Sequence, residues 1–147
     1  MNGKAMTGAA KSSIRNGAVL YVCVAVGGML GSLARYLASL LIPAVSGFPF
    51  ATLFVNITGS FIIGFYGTLS GPDGRLFAST RQRQFVMTGF CGGYTTFSAF
   101  SLDTFRLVHG GMTKMALSNI AVSVVTWLLA VWLGHVLASR LNRLKGS

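Results

Sequence analysis

T-G-F-C-G-G-Y-T-T-F-S-A-F-S-L, residues Thr88 to Leu102, lies inside an apolar segment long enough to cross a membrane. It is too rich in Gly, Thr and Ser to be an uninterrupted apolar helix. Gly92-Gly93 is followed by Tyr94-Thr95-Thr96, two glycines and then β-branched residues, so a helix entering from Phe85 should loosen there. A second short helix can restart near Phe97. In a bilayer a broken helix frees backbone amides and carbonyls, which is tolerated only where they are buried in protein, bind an ion or line a wet cavity. The stretch therefore predicts an ion site or pathway at mid-membrane depth.

The remainder of the chain fits a membrane setting. Of 147 residues 52% are hydrophobic and only 10% charged, against roughly 25% charged in soluble domains. Four long apolar runs predict an all-α membrane protein of a single small domain. Its spans are expected at about 20–42, 51–69, 85–108 and 115–137, the third broken. Residues 1–19 read as a disordered basic tail and 139–147 as a basic C-terminal tail. The N-terminal tail and first apolar run resemble a signal peptide, but the run is longer than a typical h-region and lacks a clear A-x-A site, so it is read as a retained span.

The net charge is +10, with Asp73 and Asp103 the only acids. The charges sit between the apolar runs, which the positive-inside rule explains more simply than a nucleic-acid partner does. With four spans, Lys4, Lys11, Arg15, Arg75, Arg81, Arg83, Arg140, Arg143 and Lys145 share one side, while Arg106 and Lys114 lie on the other. Both termini are thus expected in the cytoplasm, with the chain a multi-pass protein of the cell (inner) membrane. Cys23 and Cys91 read as apolar packing residues, and His109 and His135 as interfacial polar groups.

Within the first span Gly27, Gly31, Ala34 and Ala38 form a small-residue stripe that admits a close helix neighbour. Arg35, near the far end, can snorkel; it serves either as a structural bond or as positive potential beside an anion path, the structural role being favoured. In the second span Thr52, Asn56, Gly59 and Ser60 share a face. The amide of Asn56 is either interhelical glue or a group facing a polar pathway. Gly71-Pro72-Asp73-Gly74 is turn chemistry in a loop expected over 70–84. Beyond the break Phe97 and Phe100 share a face, with Ser98 and Ser101 beside them. Asp103 and Arg106 are spaced for an i,i+3 pair. In the fourth span Asn119, Ser123 and Thr126 make a polar stripe with Trp127 beside it, and Trp132 reads as an interfacial anchor.

Hydroxyls, amides and phenyl edges with few carboxylates suit an anion rather than a cation. Cation pores are commonly ringed by acids, whereas O–H and N–H groups donate to anions and a phenyl ring has a positive edge. A chain this small can hardly enclose a pore alone and should oligomerise. The main rival is a four-helix proton-coupled exporter of cationic drugs, which needs a membrane-embedded carboxylate; no Glu occurs and Asp103 lies near the end of its span. A non-conducting assembly subunit would explain the small-residue stripes but not the break and its Phe pair. Nothing resembles a nucleophile–base or metal-ligand cluster of an enzyme.

Gly89-x-x-Gly92-Gly93-x-Thr95-Thr96-Phe97-Ser98-x-Phe100-Ser101 resembles the signature of the Fluc family of fluoride-specific ion channels. Gly27-Gly28-x-x-Gly31-x-x-x-Arg35 and Thr52-x-x-Val55-Asn56-x-x-Gly59 add to the resemblance, in order, over about residues 20–137. It implies an antiparallel dimer with two fluoride pores that exports fluoride passively and lowers its cytoplasmic concentration and toxicity. It further implies a structural sodium ion at the dimer centre, held by the carbonyls of Gly92 and Thr95. By the same resemblance Phe97, Phe100, Asn56, Ser123 and Thr52 belong to the fluoride pathway, and Arg35 matches the family's first-helix arginine. Two departures stand out. Trp127 occupies the place, one turn after Ser123, where a second small or hydroxyl residue is expected, unless Thr126 substitutes in a shifted register. The strong Lys/Arg bias also differs from dual-topology homodimers, and makes an oppositely oriented homologous subunit an alternative partner to a second copy.

Overall fold

A computed structural model describes residues 3–72 and 74–143. Asp73 and Lys145, which enter the turn and the charge count above, lie outside the described residues. Among the described residues there are five helical segments: α1 Gly3–Leu41, α2 Phe50–Leu69, α3 over 80–94, α4 Phe97–His109 and α5 Thr113–Arg143. Helices α1, α2 and α5 each contain a segment long and apolar enough to cross a membrane. Segments α3 and α4 together form the broken third span.

Where a disordered tail is expected over 1–19, the structure continues α1 back to Gly3. The apolar span supplies the helix nucleus, and each further residue then adds one hydrogen bond at little cost; Ala9, Ala10 and Lys11 are good helix formers. In the same way α5 runs on to Arg143 rather than yielding to a tail at 139. The loop expected over 70–84 is shorter, because α3 begins at Thr80. Ser79 caps it: Gln82 N–H donates to Ser79 Oγ (3.3 Å) and Ser79 N–H to Gln82 Oε1 (2.9 Å). This S-x-x-Q capping box was written in the sequence.

Packing is organised in two pairs, α1 with α3 and α2 with α5, with α4 laid on α5. Backbone approaches backbone in both. A Cβ on Gly31 would overlap the Phe90 carbonyl oxygen, and one on Gly93 the Gly28 carbonyl oxygen. Between α2 and α5, Gly64 faces the Val131 carbonyl and Gly134 the Phe61 carbonyl. Such contacts replace the hydrophobic drive that lipid removes. Gly111, at φ 76°, turns the chain from α4 into α5.

The interior is inverted relative to a soluble domain. Asn119 and Ser123 are among the largest wholly buried side chains, whereas many Leu, Val and Phe side chains face outward. Apolar atoms meet lipid, and polar groups collect where they can bond to one another.

Candidate functional site

The break falls two residues later than the glycines suggest. Gly92 and Gly93 are helical, ending α3 at Tyr94, and the extended residues are Thr95 (ψ 155°) and Thr96 (φ −152°, ψ 116°). Gly93 serves instead to let α3 approach α1. Upstream, Gln84–Cys91 is wound as a π-helix, which the apolar pattern gave no reason to expect; such widened turns recur at functional sites. Helix α4 restarts at Phe97, as expected.

Five side chains hold the break open. Asn56 clips it from α2: its Nδ2 donates to the Thr96 carbonyl (3.0 Å), and Thr96 N–H donates to its Oδ1 (2.7 Å). Thr96 Oγ1 caps α4 by accepting from Ala99 N–H (3.1 Å). Thr95 turns both its N–H (2.9 Å) and its hydroxyl (2.8 Å) back to the Cys91 carbonyl. Arg35 Nε donates to the Gly93 carbonyl (3.1 Å), with the Ser32 hydroxyl farther off at 3.4 Å. Gly59 leaves space for the Thr95 methyl group, which a Cβ there would strike. Arg35 thus has the structural bond favoured above, at the negative end of α3, and Asn56 binds the backbone of the break itself.

These bonds leave the carbonyls of Gly92 and Thr95, like that of Tyr94, without a partner among the described residues. In a continuous helix the Gly92 oxygen would accept from Thr96 N–H, and the Thr95 oxygen from Ala99 N–H. Both donors are engaged elsewhere, by Asn56 and by the Thr96 side chain. Gly92 is exposed, with nothing within 4 Å of a Cβ built on it. Carbonyl oxygens freed from helical bonding are the kind of donor a hard cation takes.

Thr96 lines a cavity on either side of the clip. The larger, about 310 Å³, is bordered by Ser32, Arg35, Ser39 and Thr52. The smaller, about 210 Å³, is bordered by Asn56, Ser60, Thr95, Phe97 and Trp127. Both are mostly apolar in lining, and their polar side chains are hydroxyls, the Asn56 amide and Arg35, with no carboxylate among the residues that border them. The acid closest by sequence, Asp103, accepts from the Thr52 hydroxyl (2.7 Å). Its expected pairing with Arg106 does not form among the described residues; Arg106 is exposed, where water or headgroups solvate it at less cost than a fixed pair.

The expected pathway residues are therefore distributed. Asn56 and Phe97 border the smaller cavity, and Thr52 the larger. Phe97 is 71% exposed and Phe100 7%, their rings 5.5 Å apart. Ser123 is buried below them, 3.5 Å from Asn119 Oδ1, and Asn119 Nδ2 donates to Thr104 (2.9 Å). Three participants were not singled out by the sequence as site residues. Ser60 was visible on the Asn56 face; Ser32 follows Gly31 in the small-residue stripe; the Tyr94 hydroxyl shares a 3.0 Å hydrogen bond with Thr58, a tertiary contact with no local signal.

An apolar exterior, a buried polar centre and a helix broken beside two cavities define a multi-pass membrane protein with a discontinuous span. The family profile described as "CrcB-like protein, Camphor Resistance (CrcB)" matches residues 22–135. The chain belongs to the CrcB family. It is 65% identical over 130 residues to the fluoride-specific ion channel FluC 1 of Bradyrhizobium diazoefficiens, covering 88% of this chain and 92% of that protein. It is 60% identical over 136 residues to FluC 1 of Rhodopseudomonas palustris (91% and 96%) and 51% identical over 130 residues to FluC of Opitutus terrae (87% and 98%). These relatives are ion channels by name, a class that moves ions without making or breaking covalent bonds.

Proposed function

We propose that this chain forms a passive, fluoride-selective channel that lets fluoride leave the cell and so lowers its cytoplasmic concentration. The observation that carries this reading is the pair of cavities meeting at a clipped helix break, mostly apolar and bordered by hydroxyls, the Asn56 amide and Arg35 but by no carboxylate, with Asp103 bonded to Thr52 outside the smaller one. Neutral donors hold an anion weakly enough for it to leave again. The names of the relatives supply the ion. A cation exporter finds less support, because the acid it would need to cycle protons already holds a hydroxyl partner.

The same reading includes an antiparallel pair of subunits, either two copies or this chain with an oppositely inserted homologue. Phe97, Ser98, Ser101 and Gly92 are exposed on the single chain at the depth of the break, which suits a face completed by another subunit. The Gly92 and Thr95 carbonyls would hold a structural sodium ion there, supplying fixed positive charge and locking the break. The excess of Lys and Arg on one side supports cytoplasmic termini in the inner membrane. The test is efflux from liposomes containing only the purified protein, followed with fluoride and chloride electrodes. Fast fluoride efflux with negligible chloride efflux is expected from a self-sufficient pair. Efflux that appears only on co-reconstitution with an oppositely inserted homologue identifies the mixed pair. No selective fluoride efflux in either preparation refutes the channel.

A further inference from the structure

The Nε1 atom of Trp127 is buried and has no hydrogen-bond partner among the described residues, and the indole borders the smaller cavity. An indole N–H only donates, so its burial without an acceptor is unfavourable until one arrives. The ring is held in place rather than loose: it packs edge-on to Phe100, with centroids 5.0 Å apart and planes at 75°, and Phe100 in turn meets Phe97 at 5.5 Å. None of the other groups bordering the cavity lies within hydrogen-bonding reach of this N–H. Asn56 Oδ1 is engaged by Thr96 N–H. The second N–H of the Asn56 amide, beyond the one bonded to Thr96, is a further donor, and the rim of Phe97 is positive. The indole N–H itself is what lacks an electron-rich partner.

We propose that Trp127 Nε1–H is a fluoride-donating hydrogen-bond group of the pathway, doing with an indole what the fourth span was expected to do with a small or hydroxyl residue. The assignment rests on the channel reading and adds a selectivity element to it. An uncharged donor backed by aromatic edges favours a small anion over a cation without trapping it.

The test uses the full chain. Trp127→Phe keeps an aromatic ring against Phe100 and removes the donor; Trp127→Tyr returns a donor on a similar ring. In liposomes, Trp127→Phe should lower fluoride efflux about tenfold or more, the order expected when a hydrogen bond to a charged partner is lost, while Trp127→Tyr stays within about threefold of the unaltered chain. Independently, Trp132→Phe leaves Trp127 as the sole tryptophan. Its emission in purified protein should change saturably with sodium fluoride and not with sodium chloride at matched ionic strength. Unchanged efflux in Trp127→Phe, or emission blind to fluoride, means that the N–H meets water only and overturns the assignment while leaving the channel standing. Equal loss in the Phe and Tyr variants means that ring shape matters, not the donor, and overturns it too. An unaltered chain that passes no fluoride removes both readings. Should Trp127→Phe fail to fold, the emission titration decides.

Discussion

Replacing Asn56 by Ala removes both bonds of the clip at once, and the structure allows the consequence to be worked through. The Thr96 N–H and carbonyl are buried, and in a soluble core each orphan would cost about 1–3 kcal/mol. In membranes the measured worth of interhelical bonds averages about 0.6 kcal/mol and reaches about 1.7, because the freed groups find other partners. Here one of the two has an alternative: Thr96 N–H can fall back on the Gly92 carbonyl, its ordinary helical acceptor. The Thr96 carbonyl has no comparable substitute. The net loss is then about 1–2 kcal/mol, a few degrees in a thermal-aggregation profile, and not enough to prevent assembly. The functional loss is larger in kind, since re-engaging Gly92 withdraws a carbonyl from the proposed sodium site and lets the break tighten. Fluoride efflux from liposomes should fall about tenfold or more, on the scale of about 1.4 kcal/mol per decade. Thermal stability, which should rise with sodium over a large organic cation in the unaltered chain, should lose that dependence. Asn56→Ala protein that conducts fully and still responds to sodium would refute the idea that this amide sets the break. Protein that no longer folds would refute the magnitude.

Phe97→Ile should reduce fluoride efflux about tenfold with an unchanged melting profile, because the ring is 71% exposed and little of the subunit's own packing depends on it; equal efflux would remove Phe97 from the pathway. Asp103→Asn should retain fluoride efflux within about threefold, since an amide oxygen can still accept from Thr52, whereas proton-driven export would be abolished by the same change, so the two arms separate channel from exporter. Gly31→Ala pushes a methyl group against the Phe90 backbone, which cannot yield as a side chain can, and should cost about 1–3 kcal/mol. Gly17→Ala, in open space on the same helix, should stabilise by up to about 1 kcal/mol through helix propensity. Thermal-aggregation profiles of the two variants should therefore shift in opposite directions.

The sequence showed the spans because period and length alone reveal them, and it showed a break because Gly, Thr and Ser are out of place in a lipid-facing helix. Its position was less legible. Two glycines were read as the weak point, yet in the fold Gly93 lets the α1 backbone come into contact while Gly92 stays open, so a residue that weakens an isolated helix here strengthens a helix pair. The extended residues are the two threonines, each with a hydroxyl able to cap a neighbouring turn. The π-helical turns of α3 and the Thr52–Asp103 bond were beyond reach for another reason. Both depend on which helices become neighbours, and a local i,i+3 spacing such as Asp103–Arg106 says nothing of a competing hydroxyl from α2. The ends of α1 and α5 were missed because a polar composition was taken as disorder, although a helix already nucleated by an apolar span extends cheaply through Ala, Ser, Lys and Arg.

One consequence of the break follows from helix polarity. The C-terminal end of α3 carries partial negative charge on its last carbonyls, and the N-terminal end of α4 carries partial positive charge on its first amides. Only Thr95 and Thr96 separate them. Arg35 and Ser32 draw on the Gly93 carbonyl and Thr95 on that of Cys91, so the oxygens left over at the break are those of Gly92, Tyr94 and Thr95, of which the proposed sodium site uses the first and last. Phe97 opens α4 at its positive end and borders the smaller cavity together with Thr95. A single interruption therefore offers carbonyls to a cation and a favourable potential to an anion at the same depth, with no ionised side chain at the break other than Arg35. A continuous helix would present neither, and a longer unwound segment would leave more backbone groups without partners than Asn56, Thr95, Thr96 and Arg35 can satisfy. The two-residue length is thus matched to the number of side chains available to hold it, and lengthening it by one inserted residue between Thr95 and Thr96 should destroy both sites together.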